Sequence, residues 1–185
     1  MTRWLPFALA AALLAAACNS PGVSTPPAER DLPGASDELL IALSRARSHH
    51  AQADLYLADG DPAAAAAALE KVLAVPFPAG APEADDTRLD ARARLARLYL
   101  KLGRDADADR TIDDGLRASG RRSFFLANLW AVSGERHEAR ARRLGATDPE
   151  GARQARREAL SAYDESLRIN AELQERLHGT RRQNP

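Results

Sequence analysis

The chain has 185 residues, 26 basic and 26 acidic side chains, and a hydrophobic fraction of 45%. That balance excludes the cationic surplus that nucleic-acid binding draws on. The charges are nevertheless uneven, since residues 18–120 hold 12 bases and 17 acids and residues 121–185 hold 13 and 9, which makes the chain a charge dipole along its length.

Residues 1–17 open with Met1-Thr2-Arg3 and run apolar from Trp4 to Ala17, broken only by Pro6. The run is shorter than the roughly 20 residues a membrane span needs, and a basic start, a short apolar core and small residues at the end form a signal peptide. The junction Leu14-Ala15-Ala16-Ala17-Cys18 resembles the bacterial lipobox, with Ala15 where that pattern usually has Leu. The resemblance implies cleavage before Cys18, lipidation (palmitate among the acyl chains) and a membrane anchor through the N-terminal lipid. Cys18 is the only cysteine in the chain, and lipidation accounts for a lone thiol in an oxidising compartment. Plain secretion, with cleavage at the same bond, is the alternative. Asn19 is not the Asp that the lipoprotein resemblance associates with inner-membrane retention, so the expected location is the bacterial cell envelope, at the outer membrane facing the periplasm. Residues 18–35 contain four prolines and little apolar content; they read as a disordered tether between lipid and domain.

From Ser36 the apolar spacing is helical throughout, and residues 36–178 form the expected domain. Ser36 caps a first helix whose opening turn carries Asp37 and Glu38, acids suited to the positive end of the helix dipole; it runs to about Asp59. Gly60-Asp61-Pro62 stops that helix and starts a second, with Pro62 at the first helical position, ending near Val75 ahead of Pro76-Phe77-Pro78. Tyr56, Gly60, Ala65, Leu69 and Leu73 then recur as Tyr99, Gly103, Ala108, Ile112 and Leu116, all 43 residues on. A repeated helix-turn-helix unit cannot bury its apolar face alone and must stack on its neighbours.

The run Leu95-Ala96-x-x-Tyr99-x-x-x-Gly103-x-x-x-x-Ala108-x-x-x-Ile112 resembles the tetratricopeptide repeat, and residues 49–76 form a looser copy. The family period is about 34 residues, so the extra length is expected in the Pro/Gly-rich loop from Pro76 to Asp86. A third unit starts as Leu126-Ala127-x-x-Trp130-x-x-x-Gly134, but Arg143 stands where its second helix should be apolar. Glu158-Ala159-Leu160-x-x-Tyr163 reads as another second helix, preceded by the strong start Asp148-Pro149-Glu150. Long terminal helices are therefore expected over Ser123–Leu144 and from Pro149 to about Leu177, with residues 179–185 a disordered tail. The fold class is all-α, a right-handed array of about three helical hairpins.

Four clusters invite a chemical reading. His137-Glu138 begins like a zinc-protease helix, but Ala141 stands where the second histidine must be. Asp105, Asp107 and Asp109 begin like a calcium loop, but Arg110 and Leu116 replace its required Gly and Glu; they suit a helix N-terminus instead. His50 with Asp54 forms half a metal site, and His49 points about 100° away from His50. The arginines at 136, 140, 142, 143, 153, 156 and 157 are interleaved with Glu135, Glu138, Asp148, Glu150 and Glu158, the composition of a solvated, ion-paired face; as a recognition patch they would suit an acidic protein or an anionic envelope polymer. No metal or cofactor site is expected, no phosphate loop or nucleophile elbow is present in residues 18–185, and neither enzymatic activity nor a small-molecule substrate is expected. The tetratricopeptide resemblance implies a groove that takes a protein or peptide partner, lined by the first helix of each repeat, where Gln52, Arg92 and Asn128 are the polar candidates. The lipoprotein resemblance implies an adaptor or assembly factor for an outer-membrane machine; a structural, self-associating envelope component and a degraded enzyme accessory with no ligand of its own are the other readings.

Overall fold

The computed structural model describes residues 36–183. The expected signal peptide, Cys18 and the tether of residues 18–35 lie outside the described residues, as do residues 184–185. Six helices follow one another: α1 (Asp37–Ala58), α2 (Pro62–Leu73), α3 (Pro82–Lys101), α4 (Asp105–Ala118), α5 (Phe124–Leu144) and α6 (Pro149–Gln183). They pair as three consecutive hairpins, with the first helices α1, α3 and α5 in contact in turn.

Local chemistry sets the helix ends. The Ser36 hydroxyl accepts from the Leu39 amide at 3.2 Å and Ser123 accepts from Leu126 at 3.2 Å, each satisfying an amide that the helix cannot. Asp61 accepts from Ala64 at 2.9 Å with Pro62 beside it in the first helical position. The two repeat turns are copies of one another. Gly60 and Gly103 take φ of 77° and 71°, a left-handed conformation that glycine adopts without a Cβ penalty. Around them the Asp61 amide donates to Tyr56 O and the Arg104 amide to Tyr99 O, both at 2.8 Å. The paired bonds from Gly60 to Leu57 and from Gly103 to Leu100 complete the same closing motif, 43 residues apart.

Two boundaries depart from expectation. The insertion does not stay a loop as far as Asp86, because Pro82 begins α3 and Glu83 and Asp85 occupy its first turn, where both proline and acids are favoured. At the other end α6 continues to Gln183, beyond the stop expected near Leu177; extending an existing helix adds a hydrogen bond for each residue ordered.

The interior divides into two apolar clusters that share α3. One face of α3, with Ala91, Leu95, Leu98 and Tyr99, packs on Ala42, Ala46 and Ala53 of α1 and on Ala65, Leu69 and Val72 of α2. The other face, with Leu89, Ala93 and Ala96, packs on Ile112 of α4, Leu126, Leu129 and Val132 of α5, and Ile169 of α6. Ala65, Leu69, Leu95, Ala96, Ala108 and Ile112 are all fully buried, so the repeat-defining positions of the first two hairpins form the interface between hairpins. Tyr56 does not share this fate. Tyr99 is 5% exposed because it lies on α2 of the preceding hairpin, where its hydroxyl donates to Glu70, whereas Tyr56, in the first hairpin of the described residues, is 42% exposed. Trp130 is half-buried against the second cluster.

The third unit keeps the spacing but not the turn. Gly134 sits inside α5, and a Cβ there would lie 2.5 Å from Cε1 of Tyr163. Its service is to let the Tyr163 ring on α6 rest directly on the α5 backbone; the chain reverses instead at Gly145, with φ 42°. The residues after Gly134 explain why the helix runs through it, since Glu135 and Arg136 continue a helix where Asp61-Pro62 begins a new one.

Candidate partner-binding trough

The first helices of the three hairpins present a trough whose walls are polar and whose floor is apolar. A cavity of about 410 Å³ is lined by Leu43, Ala46, Arg47 and His50 of α1, by Glu83, Asp86, Thr87 and Asp90 of α3, and by Phe125 of α5. It adjoins a second of about 530 Å³ where Phe124, Phe125, Leu173 and Leu177 meet, and the two share Asp86 and Phe125.

A chain of charged contacts links the helices alongside it. Arg94 of α3 donates to Nδ1 of His50 at 2.9 Å and to the Asp54 carboxylate, both on α1. The half metal site expected from His50 and Asp54 is thus occupied by a guanidinium. Since Nδ1 accepts from Arg94, the proton of His50 sits on Nε2, which faces Asp90 at 3.8 Å. Arg97 makes a two-pronged contact with Glu135 of α5 at 2.9 to 3.1 Å and reaches Oδ1 of Asn128 at 3.1 Å. At the lower rim Arg121 binds one carboxylate oxygen of Asp86 and donates to Pro82 O at 3.2 Å; the other oxygen of Asp86 is shut from solvent without a hydrogen-bond partner.

Of the three polar positions expected to face a partner, only Asn128 lies on this side, and Arg97 engages it. Gln52 stands two residues from both His50 and Asp54, and Arg92 two residues from both Asp90 and Arg94. At about 100° per residue each is turned roughly 200° away from the trough. Gln52 instead accepts or donates at His49 Nδ1, 3.1 Å away. The Arg92 stem lies over Gly115 of α4, where burial holds its pKa below the ordinary arginine value. Asp90, Arg94 and Arg97 are the residues that sequence spacing alone missed; charged residues recurring at three and four spacing along α3 were the available signal.

The remaining charged clusters resolve into structural contacts. Asp107 pairs with Arg104 at 2.7 Å and with Arg110, and these guanidiniums hold its carboxyl below the usual range. Asp105 approaches Arg143 at 3.1 Å, while Arg136 reaches Asp109 at 3.5 Å and Asp113 at 3.0 Å, so two of the three acids that begin like a calcium loop tie α4 to α5. Within the arginine-rich stretch Arg140, Arg142, Arg153 and Arg157 also meet carboxylates. His137 receives a bond from Arg136 at Nε2, 2.9 Å, and turns Nδ1 toward Glu158 at 3.0 Å, out of line for a hydrogen bond. Among the described residues no cluster of three His, Cys, Asp or Glu side chains is placed to hold a metal ion, and no helix is long and apolar enough to cross a membrane.

Both half-buried imidazoles titrate below the ordinary value of 6.5, His50 through burial first and Arg94 second, His137 through burial first and Arg136 second. The fold therefore favours their neutral form. Their stabilising contribution is complete above pH 6.5 and is lost as pH falls through the lowered folded-state values. The thermal midpoint is expected to fall between about pH 7 and pH 5, and less steeply in a His50→Gln, His137→Gln variant; equal slopes in the two proteins would contradict this assignment.

A tetratricopeptide-repeat family model matches residues 56–123, the stretch from the end of α1 to the residue that caps α5. No curated protein and no solved structure matches the chain. Tetratricopeptide repeats generally mediate contacts between proteins. With its helices, turns and interlocking clusters, this chain is an all-α array of helical hairpins, similar over residues 56–123 to the tetratricopeptide repeat.

Proposed function

We propose that the trough holds a segment of another protein, and that the chain works as a lipid-anchored adaptor or assembly factor at the outer membrane of a bacterial envelope, facing the periplasm. The observation that carries the binding half is the trough's composition: an apolar floor of Leu43, Ala46 and Phe125 between polar walls contributed by successive repeats. Recognition sites combine mostly apolar surface with a few placed polar groups. His50, Thr87 and Asp90 supply such groups on its walls. The reading involves no catalytic step and no cofactor.

The location rests on sequence features: the lipobox-like junction, the single cysteine and the proline-rich stretch behind it. One acyl chain holds a protein only marginally, and stable anchoring needs at least a second attachment; the three chains of a mature lipoprotein supply it. Replacing Cys18 with Ala is expected to move the protein from the membrane to the soluble fraction, and retention on the membrane would defeat the anchor. A photo-reactive side chain at Thr87, on the trough wall, is expected to crosslink a different protein in the cell envelope, identified by mass spectrometry. Recovery of self-linked chains alone from that position would overturn the adaptor reading.

A further inference from the structure

The last helix carries an apolar seam buried in the domain and, beside it, a second seam whose leucines stay exposed although its Tyr163 packs on Gly134 of α5. Its inner seam is Ala152, Ala155, Ala159, Ala162, Ser166 and Ile169, spaced three and four and buried in the domain. One flank further round runs Leu160, Tyr163, Leu167, Asn170, Gln174 and Leu177, again spaced 3, 4, 3, 4, 3. Leu160, Leu167 and Leu177 are 63%, 67% and 71% exposed. The terminal unit of a repeat array normally turns a polar face outward, whereas this spacing is that of a helix-pairing seam.

We propose that this seam is the docking surface for a second copy of the chain, the two α6 helices packing antiparallel about a two-fold axis at Leu167. Charge decides both the occupant and the direction. A parallel pair would set Arg157, Asp164 and Glu175 each against its own counterpart, three like-charge encounters. In the antiparallel pair Arg157, which meets Glu150 at 3.5 Å in its own helix, comes within side-chain reach of Glu175 of the second copy, and Arg168, held by Glu165 and Glu172, within reach of Asp164, each pair formed twice by symmetry. Shape agrees with charge. A cavity of about 360 Å³ beside Leu160, lined by Ala141, Ala159 and Tyr163 and by the charged Glu138, Arg142 and Arg156, lies where Leu177 of the second copy arrives, because positions 157 and 177 are equidistant from Leu167. Each copy thus offers the same projection and the same recess, as an isologous interface requires. The outer face of α1 also exposes Leu40, Ile41 and Leu55, but Ser44 and Ser48 interrupt it and it lacks the regular seam.

The seam reaches the cavity adjoining the trough through Asn170, Gln174 and Leu177 but not the trough wall at Thr87, so failure of this pairing leaves the partner-binding reading standing. The test uses the full chain with Cys18→Ser, which makes any introduced thiol unique. Under mild oxidation Leu167→Cys is expected to form a covalent dimer, because the two-fold places residue 167 against itself. Leu160→Cys alone is expected not to link, but to link when mixed with Gln174→Cys, its counterpart across the axis. Leu167→Glu is expected to weaken the dimer by about thirtyfold or more, the effect of disrupting a central interface residue, measured by sedimentation with helicity unchanged. A chain that stays monomeric without crosslinking at Leu167, or one that links equally at Leu160 and Leu167 as a parallel pair would, overturns the proposal. So does dimer loss on Leu40→Glu with retention on Leu167→Glu.

Discussion

Truncating Leu129 to alanine is expected to cost about 3–4 kcal/mol and to lower the thermal midpoint by about 10 °C for a domain of this size. Leu129 is fully buried on α5 and belongs to the cluster in which α3, α4, α5 and α6 meet. Its Cδ2 lies 2.5 Å from where a Cβ on Gly115 would stand, so it fills a recess that exists because α4 has a glycine there. Around it Ala93, Ala96 and Ala127 are too short to collapse inward, and the cavity term adds to the lost transfer energy. Denaturant unfolding with an unchanged slope measures this directly. Truncation of exposed Leu160 serves as the comparison, expected within about 0.5 kcal/mol of zero in dilute monomer. A loss under 1 kcal/mol at Leu129 would mean that α5 does not dock on α3 and α4 as described.

Gly134→Val is the second large effect, with an expected loss of about 3 kcal/mol, the upper part of the usual overpacking range. The Tyr163 ring lies broadside on the Gly134 backbone, with Cε1, Cζ and Cδ1 at 2.5, 2.6 and 2.8 Å from a built Cβ. The ring is not free to swing clear, because its hydroxyl donates to Glu138 at 3.0 Å; burial and that contact push the phenol pKa up to about 12. Alanine gives a sharper test through a sign change. In the native background Gly134→Ala meets the ring and destabilises. With Tyr163→Ala the obstacle is gone, and the same substitution should stabilise by up to about 1 kcal/mol, the helix preference of alanine over glycine. Stabilisation in both backgrounds would remove the close approach from the account of α5 and α6.

These two positions mark where reading along the chain and packing part company. Gly134 stands four residues after Trp130, as Gly103 stands four after Tyr99, and spacing cannot tell a turn from a close approach. The decision lies in Tyr163, on another helix. Tyr56 and Tyr99 are likewise equivalent in sequence and differ in burial because Tyr99 packs on the hairpin before it while Tyr56 belongs to the first hairpin of the described residues. The trough shows the same limit. A polar residue on the first helix of each repeat was the criterion, and Gln52 and Arg92 meet it on the side turned away from the trough. α3 has small or apolar residues on two flanks, so its hydrophobic pattern does not single out the side that faces the trough.

By itself the sequence determined the helices and the order in which they pair. Ser36, Gly60-Asp61-Pro62, Gly103 and Asp148-Pro149 act on backbone groups within a few residues of themselves, and the 43-residue recurrence requires hairpins that stack. Only the tertiary structure decided which side of each helix is left over: that Arg94 bridges His50 and Asp54, that Asp86 keeps one oxygen unpartnered, and that α6 presents a second seam to solvent. The physical reason is that a cap or turn is satisfied by atoms the chain has already brought near, while the facing of a side chain is set by how closely alanine and glycine let two distant helices approach.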